Sequence, residues 1–418
     1  MRAIDAKEFR LKRHKIRRRL MGHRWLAVML VLIIIAGLIY AVQAYRRPLP
    51  VLVPKIKTIQ TTTAQTVQLT WPAYGQSAIG AVGYGLLATN NTQQSVPMAS
   101  VAKVVTALAV LRKHPLAEGQ QGPILTLTSN DVTLYDSYAA QDGSVVPVND
   151  GEQLSEYQAL EAMLLPSANN MADTLAIWAF GSMDNYLNYA NNMVVGLKLN
   201  QTHMADASGF SAQTVSSASD LIVLGMTALS SPVLSQIVSQ SQADIPVAGT
   251  VKNVNYLLGQ NGIVGIKTGN TSQAGGCYLF AARRNYGSNQ NVTVVGAVMG
   301  AQDLVTAMTS AVPLLSSTYQ NFGRIPILKA NQYVGNYSAP WGGEITAITR
   351  QDISIFGWKG DIPKTNINLY DLNYTQDPSQ KIGQVTIRTS NGTKMFPLFL
   401  STKIPVPSLY WRILRPAN

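Results

Sequence analysis

Along the chain the apolar positions change rhythm several times. Residues 25–44, WLAVMLVLIIIAGLIYAVQA, carry no charge, and twenty apolar residues match the hydrocarbon thickness of a bilayer. Residues 46–70 are rich in Pro, Thr and Gln and predict an extended linker. Residues 77–87, SAIGAVGYGLL, are small and apolar, as in a buried strand with its hairpin partner. Residues 100–114, SVAKVVTALAVLRKH, are apolar on nearly every side, which predicts a helix inside a large core. Residues 122–150 read as short strands and turns. Ser155 and Gln158 form a capping-box pair that opens a helix, and Pro166 ends it. NNMADTLAIWAFG predicts a second helix closed by Gly181, with PSAN as the short connection.

Ser217 and Asp220 open a further helix, SDLIVLGMTAL. Residues 264–268 read as an apolar strand ending in KTG. CYLFAARR and NVTVVGAVMG follow as strands joined by a turn at residues 286–289, and AQDLVTAMTSAVPLLSSTYQNF returns to helical spacing. After about Ile325 the pattern alternates: EITAITR, DISIFGW, NINLYDLNY, QKIGQVTIRT and TKMFPLFL predict an all-β module.

Charge changes the picture at one end. The chain of 418 residues carries +12, but residues 1–47 hold twelve Lys or Arg against Asp5 and Glu8, so all but +2 belongs to a local tail. A nucleic-acid-binding surface on the folded part has little support. Ten of those cations precede the apolar run, and only Arg46 and Arg47 follow at once. The positive-inside rule places the N-terminus in the cytoplasm and everything after Ala44 outside, with a single membrane span. The competing reading is a signal peptide cut after Ala44, which leaves a secreted chain.

Cys277 is the sole cysteine and sits in the apolar run GCYLFAA, as a small buried hydrophobe would. The four histidines show no metal-ligand spacing, so no metal or other cofactor is expected. GxSxG and phosphate-loop patterns do not occur.

Three short motifs carry candidate chemistry. Ser100-Val101-Ala102-Lys103 puts a hydroxyl and an amine on one helical face. Lys103 is the only charge before Arg112, and burial there would lower its pKa toward that of a general base. Ser167-Ala168-Asn169 places a hydroxyl and an amide on an irregular connection. Lys267-Thr268-Gly269, followed by Asn270, offers a cation and a hydroxyl on a strand edge. Its glycine admits close backbone approach. Taken singly, each has an ordinary structural explanation as a helix cap, a loop or a strand-end turn.

The order SxxK, SxN, KTG resembles that of penicillin-binding proteins and serine β-lactamases. The chain is most similar to the low-molecular-mass D-alanyl-D-alanine carboxypeptidases. The flanks MASVAKVVTALAVL, EAMLLPSANNMADTLA, MADASGFSAQTVSSASDLIVLGM and VNYLLGQNGIVGIKTGNTSQAGGCYLFAA extend the likeness over about residues 75–322. The resemblance implies an α+β fold of the β-lactamase and transpeptidase type, an antiparallel sheet flanked by helices with a helical subdomain. Here it would be joined to a small C-terminal all-β domain and an N-terminal transmembrane helix.

It also implies roles. Ser100 would attack the penultimate D-alanine carbonyl and Lys103 take its proton. Ser167 would relay that proton to the leaving D-alanine, and Asn169 hold the substrate amide. Lys267 and Thr268 would bind the terminal carboxylate beside Gly269, and the backbone N–H groups of Ser100 and Asn270 form the oxyanion hole. Peptidoglycan stem peptides and β-lactam antibiotics are the implied partners. Ala168 stands where these enzymes carry glycine, and Asn270 replaces a frequent histidine.

The expected organisation is a basic tail at 1–24, a transmembrane helix at 25–45, a linker at 46–70, a peptidase domain at 71–324 and a β-rich domain at 325–418. A serine β-lactamase is the lesser enzymatic alternative, because the segment from Asp184 to Asn188 lies too close to Ser167 to serve as a glutamate-asparagine loop. A DD-endopeptidase would use the same site, and an inactive wall-binding or scaffold module is the alternative of another class.

Overall fold

A computed structural model describes residues 5–59, 65–287 and 290–416 of the chain. One long helix, Asp5–Arg46, leads the chain, and its Met21–Arg46 part is apolar and long enough to cross a bilayer.

The body is built on a five-stranded antiparallel sheet. Its order is Ile263–Thr271, Gly275–Asn285, Asn291–Ala301, Gln76–Ala81, Gly85–Asn90. The central strands are buried on both faces, so they are continuously apolar rather than alternating. One face packs on the helix Ala218–Ser230 and, beyond it, a helical lobe made by Lys103–Lys113, Glu156–Leu164, Asn169–Phe180 and Met183–Gly196. The other face is covered by Leu304–Gln320. Small residues set the fit: a Cβ on Gly225 would lie 2.8 Å from Val295 and 3.1 Å from Ile266.

Several expectations are met and several need correction. Ser155 and Gln158 do form a capping box, and Gly181 does end its helix in the left-handed conformation. Residues 122–150, expected as strands and turns, include an eleven-residue helix, Ser129–Ala139. It opens on a capping box of Thr128 and Asp131, but none of its residues is fully buried, so no apolar stripe advertises it. Ser100 does not begin the α-helix; it lies in a 3-10 turn, Ala99–Ala102, and the α-helix starts at Lys103. The KTG triplet is not at a strand end, because Ile263–Thr271 runs past it. Of the turn expected at 286–289, residues 288 and 289 lie outside the described residues.

The C-terminal part is all β, as its alternation predicts. A six-stranded sheet runs Pro54–Ile56, Tyr333–Ser338, Glu344–Ile348, Gly392–Leu400, Gly383–Thr389, Lys364–Leu369. Its first strand comes from the stretch read as an extended linker. Leu52 also exchanges backbone hydrogen bonds with Leu372, so this stretch is stitched into the module rather than hung beside it. The Phe322–Leu328 strand straddles the expected boundary at 325 and pairs with Ile353–Trp358. Phe322, Tyr84, Tyr286, Phe356 and Trp358 meet there ring to ring, and this aromatic contact joins body and module.

Candidate active site

The three motifs, 167 positions apart from first to last, converge where the edge strand Ile263–Thr271 passes the 3-10 turn at Ser100. The approach is tight: a Cβ on Gly269 would lie 2.9 Å from the Ser100 nitrogen, so the third motif position has no room for a side chain.

Lys103 is the hub. Its Nζ donates to Ser100 Oγ at 2.9 Å, to Asn169 Oδ1 at 2.6 Å and to the Ser208 carbonyl at 2.9 Å. The side chain is fully buried, as are its neighbours in the chain Val101, Val104 and Val105. Burial lowers its pKa from the usual lysine value to about 7, although Asp206 and Asp173 pull in the other direction. The amine therefore has ready access to both protonation states near neutral pH, as a general base requires.

Ser167 occupies the connection between two helices with a φ of 68°, a left-handed conformation that a serine adopts only under constraint. Its Oγ accepts from Lys267 Nζ at 2.9 Å. Lys267 is itself buried and donates to the Thr268 carbonyl at 2.9 Å. Its pKa is pushed well below the lysine range, first by burial and then by the neighbouring Lys103 charge. Asn169 opens the helix Asn169–Phe180, and its backbone N–H is fixed on the Ser144 carbonyl at 2.7 Å. Thr268 is buried alongside, whereas Asn270 faces the opening.

Above these groups lies a cleft of about 330 Å³, with Ser100, Asn169 and Asn270 on its floor. Gly143, Ser144 and Phe210 form walls that no motif announced. The structure thus brings together every residue expected at the site: Ser100, Lys103, Ser167, Asn169, Lys267, Thr268, Gly269 and Asn270. Sequence reasoning missed Ser208, whose backbone carbonyl completes the lysine's coordination. A main-chain acceptor leaves no residue-type signal, although the segment ASGF did stand in a flank of the resemblance. Gly209 beside it is at φ +77°, and a Cβ there would collide with the Ala99 carbonyl at 1.9 Å.

The sequence profile of the D-alanyl-D-alanine carboxypeptidase family matches residues 79–303. D-alanyl-D-alanine carboxypeptidase DacA of Escherichia coli is 23% identical over 79% of this chain and 83% of its own length. A D-alanyl-D-alanine endopeptidase of Pseudomonas aeruginosa is 27% identical over 51% of this chain and 67% of its own. Among solved structures, penicillin-binding protein 5 from Haemophilus influenzae superposes with a TM-score of 0.55 at 21% identity, covering 84% of this chain and 99% of that one. That likeness establishes the fold. The profile match spans more than half of the sequence, and the chain belongs to the D-alanyl-D-alanine carboxypeptidase family.

Proposed function

We propose that this chain removes the terminal D-alanine from peptidoglycan stem pentapeptides through an ester on Ser100, and that penicillins acylate the same oxygen. The observation that carries the reading is the buried Lys103 amine, 2.9 Å from Ser100 Oγ, with its pKa brought down to about 7. In the neutral form it accepts the hydroxyl proton as Oγ attacks the penultimate carbonyl carbon. The tetrahedral intermediate collapses by breaking the peptide C–N bond, and Ser167 relays the proton held by Lys103 to the leaving amine, which frees Lys103 as the base for the next step. Water then attacks the ester, Ser100 regains its proton, and the shortened peptide departs. The backbone N–H groups of Ser100 and Asn270 serve the oxyanion, and the Asn169 side chain holds the substrate amide.

Lys267 and Thr268 receive the terminal carboxylate. With its pKa well lowered, Lys267 sits in a site that disfavours its charge. An arriving carboxylate offsets that penalty, so a substrate with a free C-terminus is favoured.

The N-terminal helix is the proposed membrane anchor, with its basic end in the cytoplasm. Retention rather than cleavage is supported at the would-be cut: Ala44 is fully buried, Tyr40 Oη donates to the Ile413 carbonyl and Arg415 donates to the Arg47 carbonyl. The β module, tied to residues 52–56, acts as a rigid spacer that holds the cleft at a set height above the bilayer.

Labelling with a fluorescent penicillin, followed by assay of D-alanine release from a stem pentapeptide, tests the reading. Stable label and released D-alanine are expected. Rapid turnover of the penicillin would point to a β-lactamase, cleavage of cross-linked peptide alone to an endopeptidase, and absence of label to an inactive wall-binding module.

A further inference from the structure

Two carboxylates outside the three motifs, Asp206 and Asp173, act on Lys103 electrostatically without hydrogen-bonding to it. Asp206 organises a tight turn. Its carboxylate accepts from the backbone N–H groups of Gly209 at 3.1 Å, Phe210 at 2.8 Å and Ser211 at 3.2 Å, and from the hydroxyls of Ser208 and Thr214. That turn presents the Ser208 carbonyl to Lys103. Asp173 approaches from the helix Asn169–Phe180, one turn after Asn169 and on the same face. Tyr138 Oη donates to Asp173 Oδ2 at 2.8 Å and lies 3.5 Å from Ser208 Oγ. Polar contacts therefore run from Asp173 through Tyr138 and Ser208 to Asp206, around the turn that holds the lysine.

Asp173 is buried, and its Oδ1 has no hydrogen-bond partner among the described residues. An unpartnered buried carboxylate oxygen is costly, and an alanine in that position would avoid the cost. We propose that Asp173, held by Tyr138, is a positioning residue for acyl transfer: it is the counter-charge that orients the Lys103 ammonium among Ser100, Asn169 and the Ser208 carbonyl.

The inference rests on the Ser100 and Lys103 reading above. As Ser100 loses its proton, Lys103 becomes an ammonium in a water-poor site, and a fixed anion nearby stabilises that ion pair. The charged and titratable groups facing this pair are few. They are, among the described residues, Tyr138 on Ser129–Ala139, Asp206 on the turn, Lys267 on the edge strand and Tyr186 on Met183–Gly196, while Asp131 is engaged by the adjacent Thr174 hydroxyl. Burial raises the Asp173 pKa to about 6, the Tyr138 hydrogen bond and Lys103 oppose the rise, and Asp206 adds to it. Asp173 in turn raises Lys103 against its burial. Removing the Asp173 charge therefore lowers the Lys103 pKa and weakens it as a base.

The test is the pH profile, from pH 5 to 9, of the rate at which the full-length detergent-solubilised protein is acylated by a penicillin. Asp173→Asn keeps an acceptor for Tyr138 while removing the charge. Its acidic midpoint should move to lower pH, so that the ratio of the rate at pH 6 to that at pH 8 rises about threefold, while the rate at pH 8 falls by about threefold to tenfold. Tyr138→Phe leaves the carboxylate without its donor and neutral to higher pH, so the midpoint should move the same way by less. It supplies the reading should Asp173→Asn not fold. A midpoint that stays at the wild-type position in the folded variants, whatever the plateau, overturns the proposal and leaves Asp173 a packing residue. Absence of acylation in the wild type would overturn the Ser100 assignment instead.

Discussion

The body and the C-terminal module are both antiparallel β structures with apolar cores, yet they bury different things. In the body Lys103, Lys267, Asp173, Glu152, Glu156 and Glu161 all lie below a tenth exposed. Among the described residues from 325 onward no charged side chain is so buried, and Asn336 and Thr349 are the only polar ones. Each buried ion costs several kcal/mol unless its surroundings compensate. The body also holds Ala99, next to Ser100, and Ser167 at positive φ. Three of these buried charges, Lys103, Lys267 and Asp173, gather at the candidate site, the glutamates lie away from it, and the module is built on packing and register alone.

The largest effect expected from breaking this contrast is at Ser100. Ser100→Ala removes the oxygen that forms the ester, so intact-mass measurement after penicillin treatment should show no adduct. The fold should survive, since the Ser100 side chain caps no helix and an alanine suits a helical turn. A variant that still gains the penicilloyl mass would place the nucleophile elsewhere. Next in size is recognition of the carboxylate. Amidating the C-terminus of a stem pentapeptide should lower kcat/KM by about tenfold or more, because the amide brings no negative charge to pair with Lys267. Equal turnover of the amide would remove Lys267 and Thr268 from that role.

The same contrast explains what could be read without coordinates. The motif residues were legible because their types are improbable in their surroundings: Lys103 stands alone among valines and alanines, and Lys267 interrupts an apolar strand. The module's strands were legible because they alternate. The helix Ser129–Ala139 was not, since a half-exposed helix carrying Asn, Asp, Thr and Ser has the composition of a turn. Nor were Pro54–Ile56 and its partner Tyr333–Ser338, short strands whose pairing spans about 280 residues and leaves no local trace. The Asp173, Tyr138 and Asp206 contacts to the lysine's surroundings were illegible for the same reason. Aspartate on a helix and aspartate in a turn are ordinary until tertiary packing brings them to one amine.

A core substitution in the module tests the separation from the other side. Leu398 is fully buried in the sheet strand Gly392–Leu400. Leu398→Ala should destabilise the module by about 2–5 kcal/mol through lost burial and the cavity left behind. Penicillin acylation at low temperature should stay within about twofold of wild type, since no module residue lines the cleft. Acylation that falls in step with the module's stability would show that the aromatic contact at Phe322 couples the two parts.

The smallest expected effect sharpens the comparison by asking whether every buried charge in the body serves the reaction. Glu156 opens the helix Glu156–Leu164, where the helix dipole favours an anion by about 0.3–1 kcal/mol. Both carboxylate oxygens are buried without a hydrogen-bond partner among the described residues, and burial wins, pushing the pKa up to about 7. Below the ordinary carboxyl value of 4.5 both folded and unfolded chains hold the proton, and no penalty arises. Between there and about 7 the unfolded chain releases it while the folded chain keeps it, so stability falls as pH rises, and above that range the loss is constant. Glu156→Gln is neutral throughout. It should match wild type at pH 4 and exceed it at pH 8 by on the order of 1–2 kcal/mol, read from urea melts at the two pH values, with acylation unchanged. A gain of the same size at both pH values would mean that the carboxyl is not the source. A loss of acylation would extend the working site to the far end of this helix.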